Sequence, residues 1–275
     1  MARWLLQSGV QVVAGVTPGK SGQRVEDCPI FDTVAAVKTA FPELAASCVV
    51  VPPSRVRSAV DEAIDAGIRF INILSENVPV HDVLAMRQRA RNEGIAILGP
   101  SSVGYVQFPA FRLGYLGGEN PFTQITEGSM AVLSTSGGMT NELMMSLSAA
   151  GIGMKLACAI GGDRVPCLSL TEMIRWSEAQ AGVESLAVFV EPGQPLLRLL
   201  ASGAFQFQKP TVVFLAGEML DELPRGASYG HTGTILGEHD VSVSDMREQL
   251  RARDVTCVGS LSEFLLECKK ICLNP

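Results

Sequence analysis

The stretch Met130-Ala-Val-Leu-Ser-Thr-Ser-Gly-Gly-Met-Thr-Asn-Glu142 decides the fold. Its opening, Met130–Thr135, is a short apolar run of the kind that forms a buried strand. A Ser/Gly turn follows. A helical pattern then places Met139, Leu143, Met144 and Leu147 on one side. Strand, tight turn and helix N-terminus make one step of a doubly wound sheet. They also aim unpaired N–H groups and the positive end of a helix dipole at one spot. An ordinary capped turn has the same signature, so the stretch fixes a fold step before it fixes a ligand.

Toward the C-terminus the step repeats. Leu156–Gly161, Ser185–Glu191, Thr211–Gly217 and Val255–Gly259 read as four further strands. Capping boxes, Ser169 with Glu172 and Ser260 with Glu263, open two of the helices. Residues 121–275 are therefore expected to form a complete flavodoxin-like doubly wound domain. Toward the N-terminus, Val10–Val16, Cys48–Pro52, Arg69–Leu74 and Ala96–Gly99 read as strands. Helical patterns over Arg55–Ala66 and Val80–Asn92 stop at Gly67 and Gly94. This β-α order implies right-handed crossovers and a parallel sheet, and assigns residues 1–120 to a Rossmann-like domain. Phe108–Glu127 carries glycines and prolines without a period and reads as the connection. Met1–Ser8 reads as a helix stopped by Gly9. The first domain thus lacks an opening strand and glycine-rich phosphate turn, so the expectation is a start upstream or a segment supplied separately.

Composition agrees. The chain has 275 residues, 47% hydrophobic, 18% charged and 6% aromatic, with a net charge of −6. Two domains with Ala/Val/Ile/Leu cores fit that length and balance. Nothing in the charge suggests a nucleic-acid or anionic-membrane surface, and no apolar run is long enough for a transmembrane helix. Seven scattered cysteines read as reduced thiols of a cytoplasmic or mitochondrial-matrix protein. Cys268 and Cys272, one helical turn apart, read as helix-face thiols rather than a metal pair, and no metal site is expected.

Four loops can carry chemistry. In Gly226–Ile235 three glycines flank His231, leaving the imidazole accessible; from the residues alone it is as readily incidental as functional. His81 and His239 read as solvated. Gly161-Gly-Asp-Arg-Val-Pro166 follows a strand and shares the sheet face where ligands bind. Glu191 ends another strand; it can fix an imidazole tautomer or simply face water. Gly15-Val-Thr-Pro-Gly-Lys-Ser-Gly22 fails the P-loop spacing. It reads as a small turn whose Lys20 can meet a phosphate.

Taken together, in order, these motifs resemble the alpha subunit of succinyl-CoA synthetase and its acid–CoA ligase relatives, including ATP-citrate lyase. The matching segments are Gly-Val-Thr-Pro-Gly-Lys at 15–20, Glu-Ala-Ile-Asp-Ala-Gly at 62–67, Gly-Pro at 99–100, Ser-x-Ser-Gly at 134–137, Ile-Gly-Gly-Asp at 160–163 and Gly-His-x-Gly-x-Ile at 230–235. The resemblance implies a coenzyme A-binding first domain and a ligase second domain. It makes His231 the phosphate carrier and Glu191 its carboxylate partner. It places Lys20, Leu74, Ser75 and Glu76 at coenzyme A, and Ser134, Ser136 and Gly137 at the helix end that receives the phosphohistidine. Mg-ATP or Mg-GTP would be bound by a nucleotide-grasping beta subunit in an αβ or α2β2 assembly. The family's Gly-Phe-Thr-Gly-x-x-Gly-Thr loop is not matched. Asn141 stands near the acid where succinate enzymes usually have tyrosine, and Ser101-Ser102-Val103 replaces Asn-Cys-Pro. A catalytically impaired regulatory or scaffold relative is the alternative these departures leave.

Overall fold

Alternation within one strand organises the molecule. In the computed structural model, which describes residues 5–6, 11–163, 165–224 and 241–273, strand β5 (Phe70–Ile73) is the centre of a three-stranded parallel sheet. Its neighbours are β4 (Ala46–Val49) and β6 (Ala96–Leu98), in register Ala46↔Phe70 and Phe70↔Ala96. Successive side chains leave opposite faces of a strand. Ile71 and Ile73 enter a core with Val56, Val60 and Ile64 of helix α2 (Val56–Asp65) and Val83 and Met86 of helix α3 (Val80–Glu93). Gly94 ends α3 in the left-handed conformation at φ 66°, as a glycine C-cap should.

The residues before this sheet depart from expectation. Of the expected strand Val10–Val16, Val10 lies outside the described residues and residues 11–14 are not strand. Only Gly15–Val16 (β1) is extended, and it joins a separate small sheet of order β1-β3-β2 with β2 (Arg24–Val25) and β3 (Cys28–Phe31). After β1, Gly19 and Gly22 adopt φ 75° and 83° in the turn that leads back into β2. Helix α1 (Val34–Ala40) follows, capped by Thr33, which accepts a hydrogen bond from Ala36 N. At the N-terminus, Leu5 and Leu6 are helical.

The second sheet has seven strands in the order β13-β12-β11-β9-β10-β7-β8. Five are parallel: β9 (Glu127–Ser134), β10 (Met154–Ala159), β11 (Ser185–Val190), β12 (Thr211–Leu215) and β13 (Thr256–Val258). Their order, β10-β9-β11-β12-β13, is the flavodoxin arrangement. Helices α5 (Gly137–Ala149), α6 (Leu170–Glu178), α7 (Pro195–Ser202), α8 (Val243–Arg251) and α9 (Leu261–Leu273) cover it. Every residue of β11 is buried, with Leu186, Val188 and Val190 in one core and Ala187 and Phe189 in the opposite one. That explains an unbroken apolar run with no alternation. The Ser169–Glu172 capping box is present. At α9, Ser260 accepts from Glu263 N, but the Glu263 carboxylate takes Gly259 N instead of closing the box.

The segment expected to be a bare connection is instead structured. β7 (Gly104–Gln107) and β8 (Phe111–Gly114) form an antiparallel hairpin, and β7 pairs antiparallel with β10. A short helix, α4 (Pro121–Gln124), leads into β9. The hairpin thus extends the second sheet by its edge. It also covers the face of the first sheet that α2 and α3 leave bare, where Phe70 stacks on Phe111 and Asn72 bonds to Ser102.

Candidate functional site

The carboxyl ends of the parallel strands line up. Ser134, at the end of β9, is in register with Ala159 of β10 and Phe189 of β11, and Val190 pairs with Leu215 of β12. Consequently Gly161, Glu191 and the residues after Leu215 all leave the sheet at one edge. The first sheet brings its own carboxyl edge to the same place. Gly99 N donates to Ile160 O at 3.0 Å and Cys167 N to Gly99 O at 2.8 Å. A Cβ on Gly161, at φ 112°, would lie 2.1 Å from Pro100 O. Only glycine permits that approach.

At this edge the β9–α5 turn is locked by its own hydroxyls. Ser134 Oγ accepts from Ser136 N at 2.9 Å and donates to Ser136 O at 3.0 Å. Ser136 caps α5, accepting from Met139 N at 3.4 Å, and Thr140 Oγ1 donates to Ser136 O at 2.7 Å. Ser134 and Ser136 are buried and engaged in shaping the turn. What the turn can offer an anion is the first-turn N–H groups of Gly137 and Gly138, which no intrahelical carbonyl reaches, together with the helix dipole, worth about 0.3–2 kcal/mol for a nearby negative charge. Gly138 is exposed, and a Cβ there would meet nothing within 4 Å. Gly137 is held close against Val103, where a Cβ would clash at 2.6 Å.

Asn141 lies one turn into α5. Its Oδ1 accepts from Gly117 N at 2.7 Å and its Nδ2 donates to Gly137 O at 3.2 Å, so both ends of the amide bind main chain. Glu191 follows β11 directly and is half-buried. His231 lies outside the described residues, as does His239. The chain on either side of 225–240 is tied together: Asp221 accepts from Val243 N at 2.7 Å and from Ser244 N at 3.0 Å.

On the first sheet, Leu74, Ser75 and Glu76 run on from β5. Leu74 N bonds Val49 O, Ser75 Oγ donates to Val51 O at 2.6 Å, and Ser101 N donates to Ser75 O at 2.9 Å. The exposed Glu76 carboxylate accepts from Ser101 Oγ at 3.5 Å. Lys20 sits apart on the β1–β2 turn. Its N–H and that of Ser21 donate to Asp32 Oδ1 at 3.1 and 3.0 Å, so the turn offers a phosphate an exposed ammonium rather than those amides. Among the described residues, no hydrogen bond joins Lys20 to Leu74–Glu76.

Several residues at this junction were missed in the sequence. Asn72 is fully buried; its Oδ1 accepts from Ser102 Oγ at 2.7 Å, and Ser102 Oγ also lies 2.6 Å from Ala159 O. A lone asparagine in the apolar run Phe70-Ile-Asn-Ile was the available signal. Arg112 is buried beside Cys48. Burial pulls its pKa down to about 10, and burial pushes the Cys48 thiol up to about 11. Thr135 is buried behind the α5 turn, and Tyr115 is partly exposed beside Glu76. Among the described residues no group of three His, Cys, Asp or Glu side chains is placed to hold a metal, and no helix is long and apolar enough to cross a membrane.

Two parallel sheets whose carboxyl edges meet at glycine turns, one of them carrying a capped helix N-terminus, define the class as a two-sheet α/β protein. Comparison with known proteins narrows the class. The model for the CoA binding domain family matches residues 3–77. The chain is 33% identical to subunit alpha 2 of succinate–CoA ligase [ADP-forming] from Archaeoglobus fulgidus, over 84% of this chain and 78% of that one. It is 30% identical to an ADP-forming sulfoacetate–CoA ligase subunit of an Acholeplasma species, over 90% of this chain and 82% of that one. Its fold matches the ATP citrate lyase of Methanothrix soehngenii with a TM-score of 0.81 at 23% identity, over 89% of this chain. The match spans 41% of the lyase chain, which is more than twice as long as this one. This chain belongs to the family of succinate–CoA ligase [ADP-forming] alpha subunits and their acid–CoA ligase relatives.

Proposed function

We propose that the chain is the alpha subunit of a nucleoside-diphosphate-forming acid–CoA ligase that works through a phosphohistidine on His231. The observation that carries this reading is the α5 N-terminus, preset by Ser134 and Ser136, at the point where the carboxyl edges of both sheets converge. Coenzyme A is assigned to the first region, with Lys20 for a phosphate and Leu74–Glu76 for the polar arm. The exposed ammonium and the Glu76 carboxylate fit a ligand bearing both phosphates and amide N–H groups. Phosphoryl handling is assigned to the second region, and the boundary is drawn after β6, because the hairpin bonds to β10.

In this scheme a neutral His231 nitrogen attacks the terminal phosphorus of a nucleoside triphosphate presented, with magnesium, by a partner subunit. The N–P bond forms and the bond to the diphosphate breaks. Glu191 holds the tautomer. The anionic phosphohistidine is received by the Gly137 and Gly138 N–H groups. An acid carboxylate oxygen then takes the phosphoryl group, freeing the imidazole. The coenzyme A thiol attacks the acyl carbon, phosphate leaves, and the thiol proton passes to it or to water.

Acid-labile labelling by γ-labelled nucleotide in the complex with the partner subunit tests the assignment. His231→Asn should abolish the label, and label persisting in that variant overturns it. Glu191→Gln should slow single-turnover labelling by about 10²–10⁴ while the fold is retained.

A further inference from the structure

We propose that the loop Gly114–Gly118, clamped to α5 through Asn141, selects the carboxylic acid, and that Tyr115 is the side chain that reads it. The inference rests on the ligase reading and deepens it.

The chemistry fixes where the acid must lie. Its carboxylate oxygen has to meet the phosphoryl group at the α5 N-terminus, and its acyl carbon then has to meet a thiol coming from the first region's edge. The acid therefore sits between that helix end and the Leu74–Glu76 edge. The Gly114–Gly118 loop touches both. On one side Gly117 N donates to Asn141 Oδ1 at 2.7 Å, and the same amide donates to Gly137 O, in the first turn of α5. On the other side a Cβ on Gly114 would lie 3.1 Å from Asn72 Nδ2, on the strand that runs on into Leu74–Glu76, and the Glu76 charge acts on Tyr115. Between them Tyr115 N and Leu116 N both donate to Val103 O, at 2.9 and 3.1 Å.

The loop is rigid. Gly114, Gly117 and Gly118 have φ of 91°, 89° and 73°, where other residues are strained. A Cβ on Gly117 would meet Pro121 at 2.6 Å. A preformed loop spends no binding energy on ordering, which suits a discriminating surface. Tyr115 is the large side chain the loop leaves accessible, at 36% exposure, against Leu116 at 0%. Its ring can pack on an acid's carbon chain while its hydroxyl donates to a polar tail. Burial, and then the Glu76 charge, push the phenol pKa up, which keeps that donor protonated. Asn141 has spent both amide atoms on main chain, so it positions the loop rather than touching the acid.

The test uses the chain in complex with its nucleotide-binding partner subunit, measuring acyl-CoA formation from acetate, propionate, malonate and succinate. Tyr115→Phe should raise KM for the best acid by about tenfold where the hydroxyl bonds a charged tail. Tyr115→Ala should reorder the four acids by kcat/KM. KM for coenzyme A should stay within about twofold, the mark of a lost acid contact rather than a distorted site. Asn141→Ala should raise the acid KM as Tyr115→Phe does, and Asn141→Asp, which keeps an acceptor for Gly117 N, should restore it. An active wild-type complex whose Tyr115 variants keep the same acid order and KM overturns the loop assignment alone, as does a parallel rise in both KM values. A wild-type complex that forms no acyl-CoA overturns the ligase reading as well.

Discussion

The two parallel sheets bury themselves differently. The five parallel strands of the second carry helices on both faces, and their side chains divide between two apolar cores. The first packs α2 and α3 on one face only and gives the other to a hairpin that hydrogen-bonds to its neighbour. Cys167, from the second half of the chain, is buried in the first sheet's core, and Arg91 of α3 pairs with Glu172 of α6 at 2.8 Å. The second region is self-contained, whereas the first borrows its cover.

Substitutions at four positions break or sharpen this contrast. Gly104→Ala strikes the shared hairpin. At φ 120° its Cβ would stand 2.0 Å from Leu113 O, and the loss should be at least about 4–5 kcal/mol. Hydrogen exchange should accelerate in β4–β6 as well as β9–β13; acceleration confined to the second sheet would show that the first does not depend on the hairpin. Phe264→Ala, in a fully buried position of the second core, should cost about 3–5 kcal/mol in denaturant unfolding. Its effect on exchange should fall first on the strands under α9. Asn72→Ala should cost about 1–3 kcal/mol by leaving Ser102 and the strand ends around it short of a partner. Asn72→Asp would be no better, since it places a charge in the same buried spot, and equal stability of all three proteins would mean the junction is wet.

The smallest effect is electrostatic. Burial works to raise the Glu172 carboxyl, but hydrogen bonds from Ser169 and the Arg91 charge outweigh it and hold the group below the ordinary glutamate range. A depressed folded pKa contributes stability above the unfolded value, near about 4.3, and that contribution is lost as pH falls through the folded one. Glu172→Gln should flatten the stability profile on the acid side of that window. The change should be under about 1 kcal/mol, as for a half-exposed pair, and an unchanged profile would show that the bridge joins the regions without stabilising them.

The same contrast explains what the sequence disclosed. Strands buried on both faces announce themselves as apolar runs, so β10 to β13 were legible to within two residues, while β9 begins three residues before its apolar run, at Glu127. The hairpin was not, because its strands are four residues long and ended by Gly104 and Gly114. These glycines face each other in register and let Asn72 approach; a Cβ on Gly114 would lie 3.1 Å from Asn72 Nδ2. In sequence, a glycine for close approach and a glycine for a turn look alike. At the site, the Ser134–Gly137 turn was readable because capping is local. The Asn141–Gly117 bond joins residues 24 apart and leaves no periodic trace.

One practical consequence follows from the hairpin's double allegiance. The stretch that looks most like a linker is a poor place to cut the molecule. A fragment ending at residue 120 would carry β7 without β10, exposing an unpaired strand edge that invites self-association. A fragment ending after β6 would uncover Phe70 and Asn72, and both would lose Cys167 from the core. Transplanting the first region into another protein, or exchanging it between relatives, therefore has to bring the hairpin and its supporting strand along.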